Sequence, residues 1–251
     1  MAELIWSVDG DLAGELNMAH DRAMWRAFEA DPSPGVRLRV YGWSPPALSL
    51  GFHQDQSAVD LQELEARGYS LVRRPTGGAA VLHVDEITYA VAAPLGLVGL
   101  GRAVQEIHDN IAGSLLELFA GIGLGVELGG AGPPRDFACF SAAGGHEMTV
   151  AGRKLVGSAL RRGRRAFLQH GSILCGDGHL ELGSFMAGLD SVAQGRARQR
   201  LEQQTCTLRS LSVELDQEGF AGQLAALLAA RVGMPVRRVQ DAPIRHGAEG
   251  P

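Results

Sequence analysis

The chain has 251 residues, 45% of them hydrophobic, which is enough for one large domain or two small ones. Its formal net charge of −5 gives no electrostatic reason to expect nucleic-acid binding. No apolar run approaches the roughly 20 residues of a transmembrane helix, and the N-terminus lacks the basic-then-apolar order of a signal peptide. We therefore expect a cytoplasmic protein with neither a nucleic acid nor a membrane as partner.

The spacing of apolar residues predicts the secondary structure. The first half should contain a strand at 4–8, a helix at 15–28, strands at 36–43 and 47–53, a short helix at 57–67, a strand at 69–74 and two paired strands at 79–83 and 87–93. The second half should contain a helix at 104–119, an irregular loop at 131–143, three strands joined by turns at 151–152 and 162–163, and helices at 180–189, 199–204 and 217–231. This mixture predicts an α+β fold, with a mostly antiparallel β-sheet flanked by helices. We expect one domain over 1–240 and a flexible tail over 241–251.

The cysteines indicate free thiols. Cys139, Cys175 and Cys206 are odd in number and widely spaced, and no CxxC pair occurs, so neither a disulfide framework nor a zinc site is expected. The histidines do not have the spacing of a metal site either, because Val150 stands where an HExxH motif would need its second histidine. No metal is predicted.

A glycine-rich stretch, "RRPTGGAAVLH", runs from Arg73 to His83 after a predicted strand. Because Gly77 and Gly78 carry no Cβ, a ligand could approach their backbone closely, and Arg73 and Arg74 stand beside them. Such a turn could cradle a phosphate, a carboxylate or an acyl carbonyl. The same composition also fits an ordinary Gly-Gly hairpin with exposed arginines, and no Walker motif occurs in the chain.

Cys139 and Lys154 flank a second polar stretch. Cys139 lies in a predicted loop, where a thiol is accessible more often than in a strand. Lys154 follows a turn and begins a strand in which Val156 and Ser158 share its face, while Leu155, Gly157 and Ala159 occupy the other. The lysine could enter a cleft and hold a carbonyl or phosphate oxygen, or polarise a thiol. From the spacing alone, a solvated lysine at a turn is the favoured interpretation.

Three segments in order resemble the biotin/lipoate protein ligase family, which includes lipoate–protein ligases and ligase-like octanoyltransferases. They are "RRPTGGAAVLH", "GRKLVGSA" and "FLQHGSIL", and the likeness covers about residues 3–185. The resemblance implies the catalytic-domain fold of that family. It also implies an enzyme that attaches an octanoyl, lipoyl or biotinyl group to one lysine of a small carrier domain.

The family contains two mechanisms. Octanoyltransferases use no cofactor: they take octanoate from acyl carrier protein onto a cysteine and pass it to a lipoyl domain, such as glycine-cleavage H protein or a 2-oxoacid dehydrogenase subunit. Lipoate–protein ligases instead use ATP and Mg to make an acyl-adenylate. The Cys139-Phe140 dipeptide ahead of the Gly-Arg-Lys motif resembles the transferases, and the chain is expected to be too short for the accessory domain of a typical bacterial ligase. We therefore predict an octanoyltransferase, with a ligase as the alternative and a non-catalytic acyl- or lipoyl-binding module as a third interpretation.

The resemblance also supplies the candidate site. Cys139 is expected to be the nucleophile and Lys154 its catalytic partner. The expected substrate- and acyl-binding residues are Arg73, Arg74, Thr76, Gly77, Gly78, Ala79, His83, Gly157, Ser158, Ala159 and His170. Arg73 and His83 are expected to form walls and supports rather than to take part in catalysis. Two positions depart from the family pattern: Ala79 replaces a glycine or arginine, and Leu160 replaces a glutamine whose amide could contact the donor.

Overall fold

The computed structural model describes residues 2–129 and 147–240. Its strands are β1 (Leu4–Leu12), β2 (Val36–Trp43), β3 (Ala47–Leu50), β4 (Ser70–Arg73), β5 (Val81–His83), β6 (Glu86–Pro94), β7 (Glu127–Leu128), β8 (Met148–Val150), β9 (Arg153–Arg162), β10 (Ala166–Leu174) and β11 (Val236–Arg238). Its α-helices are α1 (Gly14–Ala30), α2 (Leu61–Ala66), α3 (Val104–Gly121), α4 (Ser191–Gln204) and α5 (Gln217–Val232). The predicted α+β class is confirmed.

Eight strands form the main sheet, in the order β11-β1-β2-β6-β10-β9-β8-β7. All neighbours pair antiparallel except at the β11–β1 and β1–β2 contacts, which are parallel, so the mostly antiparallel sheet is as predicted. Strands β6 and β10 lie at the centre, and every one of their residues is buried. The three strands expected after residue 147 are present, with tight turns between them.

Three strands form a second, smaller sheet in the order β4-β3-β5. The predicted pairing of the segments 79–83 and 87–93 is therefore wrong: β5 pairs with β3, while β6 pairs with β2 and β10. The chain changes sheets at Asp85, whose φ of 52° bends the backbone, and the carbonyl of Asp85 accepts the N–H groups of Cys175 and Gly176. Local alternation predicted two strands, but their partners are distant in sequence.

The helices cover both faces of the main sheet. Helices α3 and α5 pack on one face, where Ile107, Ile111 and Leu115 form the predicted apolar stripe and are fully or almost fully buried. Helix α1 packs on the other face, against β6 and β10, and also contacts β4 of the small sheet. The space between α1 and the two sheets is the region in which the candidate site lies.

Two helical predictions differ from the structure. The segment predicted as a helix at 180–189 is a 3-10 helix, Gly178–Phe185. Helix α4 begins at Ser191 rather than near residue 199, and the carboxylate of Asp190 accepts the N–H of Ala193 at its start. Its first turns are rich in arginine and glutamine and bury no side chain, so hydrophobic periodicity could not reveal them. Among the described helices, none has the length and apolarity needed to cross a bilayer.

Candidate active site

A pocket of about 210 Å³ opens between α1, the small sheet and strands β9 and β10. Nine of the predicted site residues line it: Arg74, Gly78, Ala79, His83, Lys154, Gly157, Ser158, Ala159 and His170. Arg73, Thr76 and Gly77 lie next to this lining. Cys139 and the predicted loop at 131–143 lie outside the described residues, as does the tail at 241–251. The resemblance therefore selected residues that are distant in sequence and adjacent in space.

The pairing of β9 with β10 builds one wall of the pocket. Gly157 lies opposite Ser172, Ser158 opposite Gly171, and Ala159 opposite His170. A Cβ on Gly171 would lie 2.6 Å from Cε1 of Tyr89 and 2.8 Å from Oγ of Ser158, so this position admits only glycine without a shift of its neighbours. The glycine of the "HGS" segment in β10 is therefore required by packing, whether or not it contacts a ligand.

Lys154 reaches the pocket from the start of β9 and is only 4% exposed. Its Nζ donates a hydrogen bond of 2.6 Å to Oε1 of Glu147. A turn at Ala151 and Gly152, both with positive φ, returns the chain so that Glu147, which directly precedes β8, lies beside Lys154 on β9. A buried ammonium requires such a partner because the desolvation of an unpaired charge is costly.

Glu147 lines the pocket but was not predicted from the sequence. Its position gave a usable signal, since an acid directly before a short hairpin can meet a lysine that begins the returning strand. Met18, Tyr41, Trp43, Val81, Thr88 and Ser172 also line the pocket and were not predicted. They come from α1, β2 and the inner faces of other strands, and only the tertiary packing brings them to the pocket.

The turn at residues 76–79, called the glycine turn below, is held from two sides. The guanidinium of Arg74 donates to the carbonyls of Gly77 at 3.1 Å and Ala79 at 2.9 Å. Gly78 has a φ of 94°, a conformation that favours glycine. A Cβ on Gly51 would lie 1.9 Å from the carbonyl oxygen of Gly78. The close approach of the two backbones explains why both positions are glycine.

The two predicted arginines occupy different environments. Arg74 is 4% exposed and lines the pocket, and its Nη1 also donates to the carbonyl and hydroxyl of Ser49 at 2.9 and 2.6 Å. Arg73 is exposed and donates to three backbone carbonyls in the loop that follows β3, at residues 51, 52 and 54. Both side chains therefore brace backbone around the pocket.

His170 belongs to a buried chain of hydrogen bonds. Its Nδ1 lies 2.9 Å from Oδ2 of Asp21, and its Nε2 lies 2.6 Å from Oγ1 of Thr76. Burial lowers the pKa of His170 below its ordinary value, so the ring is neutral at pH 7, donates from Nδ1 and accepts the hydroxyl proton of Thr76. The hydroxyl that precedes Gly77 is thereby fixed in one orientation.

Asp21 anchors this chain. Burial alone would raise the pKa of its carboxyl group, but the hydrogen bond from His170 and the guanidinium of Arg39 outweigh burial and hold the pKa below its usual range. Arg39 donates to Asp21 at 2.7 Å, and the hydroxyl of Tyr41 donates to it at 3.0 Å. The carboxylate is therefore charged and fully committed to its neighbours.

His83 is the centre of a second buried network. Its Nδ1 lies 2.7 Å from Oε1 of Glu86, its Nε2 lies 2.6 Å from Oγ of Ser49, and its ring stacks on Trp43 at 3.9 Å. Burial would raise the pKa of Glu86, but the nearby His83 and the hydroxyls of Thr88 and Ser172 lower it overall. Trp43 and His83 thus form one fixed wall.

The two described cysteines are poor candidates for a nucleophile. Cys175 is half-buried and Cys206 is buried, and both are free thiols, as predicted for them. Burial raises the pKa of Cys175 to about 11 and also raises that of Cys206. A thiol attacks as the thiolate, so these shifts suppress reactivity near neutral pH. Within 2–129 and 147–240, no group of three or more His, Cys, Asp or Glu residues could hold a metal ion.

Comparisons with known proteins identify the family. Octanoyltransferase LipM of Kyrpidia tusciae is 36% identical over 239 residues, which cover 89% of this chain and 86% of that protein. Octanoyltransferase LipM of Moorella thermoacetica is 42% identical over 164 residues, 63% of this chain and 60% of that protein.

Solved structures share the fold at lower identity. A putative lipoate protein ligase from T. acidophilum with bound lipoic acid has a TM-score of 0.76 and 16% identity, covering 97% of this chain and 91% of that one. A lipoate-protein ligase A bound with ATP has the same TM-score and identity, covering 96% and 90%. The model of the lipoyl protein ligase A/B catalytic domain matches residues 13–229. The predicted family is thereby confirmed, and the chain belongs to the lipoyl protein ligase A/B catalytic domain family.

Proposed function

We propose that this chain is an octanoyltransferase, which moves an octanoyl group from acyl carrier protein to one lysine of a lipoyl domain through a thioester on Cys139. The observation that carries the proposal is the pair of the buried Lys154 and the partly buried Glu147 at the pocket, on the hairpin that follows the segment holding Cys139. Relatives that bear the name octanoyltransferase are 36% and 42% identical, whereas the ligases of known structure are 16% identical and support the fold alone.

The pocket supplies an apolar slot for the acyl chain. Met18, Trp43, Val81 and Ala159 contribute apolar surface to its lining. Burying the seven CH₂ and CH₃ groups of an octanoyl chain would contribute about 5–6 kcal/mol, at about 0.8 kcal/mol each. This free energy favours octanoyl over shorter chains, since each missing methylene forfeits its share.

In the first half-reaction, the thiolate of Cys139 attacks the carbonyl carbon of the octanoyl thioester. A carbon–sulfur bond to Cys139 forms, the bond to the donor sulfur breaks, and the donor thiolate leaves and takes up a proton. Because thiolates are stabilised by nearby cations, the ammonium of Lys154 would stabilise the thiolate of Cys139. Backbone N–H groups of the glycine turn and of Lys154 would hold the oxygen as negative charge develops on it.

In the second half-reaction, the amine of the acceptor lysine attacks the Cys139 thioester. An amide bond forms, the thiolate of Cys139 leaves, and the attacking nitrogen gives up one proton. The carboxylate of Glu147, bound to Lys154 at 2.6 Å, is positioned to accept that proton directly or through the ammonium. Glu147 then releases this proton to solvent, which balances the proton taken up by the donor thiolate in the first half-reaction, and the Cys139 thiolate and the Glu147 carboxylate are restored.

The acceptor is proposed to be a lipoyl domain, such as that of glycine-cleavage H protein or a 2-oxoacid dehydrogenase subunit. No cofactor is required, because the thioester of the donor already carries the activated acyl group. ATP and Mg belong to the ligase alternative, in which Lys154 would hold an acyl-adenylate. The ligases of known structure share the fold of this chain, but at 16% identity they do not favour the ligase reaction over the transferase reaction.

Intact-mass analysis of an apo lipoyl domain tests the proposal. The domain should gain one octanoyl group from octanoyl acyl carrier protein without ATP, and should remain unmodified with free octanoate or lipoate plus Mg-ATP. The enzyme itself should show an octanoyl mass shift that the Cys139→Ser variant lacks. Undiminished transfer by that variant, or labelling that depends on ATP, would refute the covalent transferase mechanism.

A further inference from the structure

Six arginines gather on one face beside the pocket, in a chain that carries a net charge of −5. Helix α1 and the turn between β9 and β10 meet at this face: a Cβ on Gly163 would lie 3.0 Å from Trp25, and the N–H of Arg165 donates to Glu29 at 3.1 Å. Arg22 and Arg26 lie one turn apart on α1, and Arg22 donates to the carbonyl of Arg73 at 3.5 Å. Arg161 lies over Trp25 of the same helix, and Arg164 and Arg165 lie in the turn between β9 and β10. We call the face formed by these six residues the arginine surface.

The acids near this surface are already engaged. Glu29 accepts the N–H groups of Arg165 and Ala166. Asp31 accepts from Ser33, and Asp55 accepts the N–H of Ser57. These neutral donors leave each carboxylate charged, so the surface carries six arginines against these three acids and is positive, opposite in sign to the molecule as a whole.

The arginine surface is continuous with the rim of the pocket. The guanidinium of Arg161 lies 4.4 Å from the ring of Trp25 and 4.9 Å from that of Phe52, and it donates to the carbonyl of Pro75 at 2.8 Å. The N–H of Phe52 donates to the carbonyl of Thr76, the first residue of the glycine turn. Phe52 is 46% exposed, so the surface also presents an aromatic side chain to solvent.

We propose that the arginine surface docks the acidic acyl carrier protein that delivers the octanoyl group; this inference rests on the proposed function and adds the place where the donor binds. A positive surface with one exposed aromatic side chain, on an otherwise acidic protein, attracts a strongly acidic protein and orients it by complementary charge. The donor must come and go in every cycle, and rim charges favour fast association rather than a long-lived complex.

Distance favours the donor over the acceptor as the occupant. Arg161 stands seven residues after Lys154 on β9, about 23 Å along the strand at roughly 3.3 Å per residue. A carrier protein bound there can reach Lys154 only with a long flexible arm, which a prosthetic group that carries a thioester provides. The acceptor presents its amine on an ordinary lysine side chain, so the acceptor domain must sit closer to Lys154.

The test reverses charge at two exposed members of the surface that have no part in the pocket. The variant is Arg164→Glu/Arg165→Glu. A matched control, Arg196→Glu/Arg198→Glu, makes the same change of charge on the exposed side of α4. For each protein we would measure kcat/KM with octanoyl acyl carrier protein and with octanoyl-pantetheine at several salt concentrations, and KM for the lipoyl domain.

For the surface variant, kcat/KM with octanoyl acyl carrier protein should fall about tenfold or more at low salt, and the difference should narrow as salt rises. Its kcat/KM with octanoyl-pantetheine, its KM for the lipoyl domain and the activity of the control should be unchanged. The proposal is overturned by an unchanged kcat/KM with the carrier protein, by an equal loss with octanoyl-pantetheine, by an equal loss in the control, or by an effect confined to the lipoyl domain.

A binding measurement separates this proposal from the proposed function. If the wild-type protein transfers no octanoyl group from any thioester donor, the proposed function is refuted. The docking surface is then tested by itself, through the fluorescence anisotropy of labelled octanoyl acyl carrier protein. Binding that is about tenfold weaker to the surface variant than to wild type and control supports the surface. Equal binding to all three, or no binding to wild type, overturns it.

Discussion

Replacing Glu147 with glutamine probes the pair at the pocket. The substitution keeps the shape of the side chain and one acceptor oxygen but removes the charge that faces the ammonium of Lys154 at 2.6 Å. A hydrogen bond between charged groups contributes about 1.5–3 kcal/mol and a neutral one about 1 kcal/mol. We therefore expect a loss of about 1–2 kcal/mol in the interaction, which corresponds to a fall of roughly 5- to 30-fold in kcat/KM for the acceptor lipoyl domain.

The assay follows both half-reactions by intact mass. Because Glu147 is proposed to accept a proton only when the amine attacks, Glu147→Gln should form the octanoyl enzyme and pass the group on slowly, so that the acyl-enzyme accumulates. Glu127→Gln is the matched control, since Glu127 is an exposed acid on β7, the strand next to β8. Unchanged turnover in Glu147→Gln, or slow formation of the acyl-enzyme with normal transfer from it, would refute the assigned role.

Two further predictions concern the walls of the pocket. Gly171→Ala should lower the free energy of unfolding by about 1–3 kcal/mol, because the new Cβ would lie 2.6 Å from Tyr89; an unchanged urea midpoint would contradict this packing. His170→Gln should flatten the pH dependence of stability below about pH 6.5, the pKa of an unfolded histidine. The folded pKa of His170 is lowered, so on acidification the unfolded state takes up a proton first and the wild type loses stability. Equal slopes of unfolding free energy against pH for the two proteins would show that His170 is not held neutral.

Local residue patterns were sufficient to predict the strands and helices whose pairing partners are near in sequence. The strands β8, β9 and β10 follow one another through tight turns, so alternation and turn residues defined them and their pairing. The stripe of Ile107, Ile111 and Leu115 likewise predicted α3. The division into two sheets was not predictable in this way, because β5 selects β3 from among several possible partners only in the folded chain.

Prediction of the candidate site was likewise limited by contacts between residues that are distant in sequence. The resemblance identified Lys154, His170 and the glycine turn, and the register of β9 against β10 places Ala159 beside His170. Trp43 and Glu147 escaped because no short motif contains them. Trp43 reaches the pocket through its stack on His83, and Glu147 through its ion pair with Lys154. The stack of Trp43 depends on tertiary structure that a pattern of residue types does not encode, whereas the Glu147–Lys154 pair follows from a short hairpin that the sequence did predict.

The hydrogen bonds of the motif residues suggest a division between supporting and contacting groups. The hydroxyl of Thr76 is directed to His170, and Arg74 binds carbonyls on both sides of Gly78. These side chains hold the glycine turn in one conformation. Without them its backbone would sample many conformations, because glycine restricts φ and ψ less than any other residue. We infer that the backbone N–H groups of the turn bind the acyl carbonyl, while Lys154 stabilises the thiolate and Glu147 accepts the proton of the attacking amine. In Arg74, Nη2 donates to both carbonyls of the turn while Nη1 donates to Ser49, so the planar guanidinium fixes the turn against β3. Lysine has a single ammonium in place of this fork, so Arg74→Lys should disturb binding without altering the nucleophile.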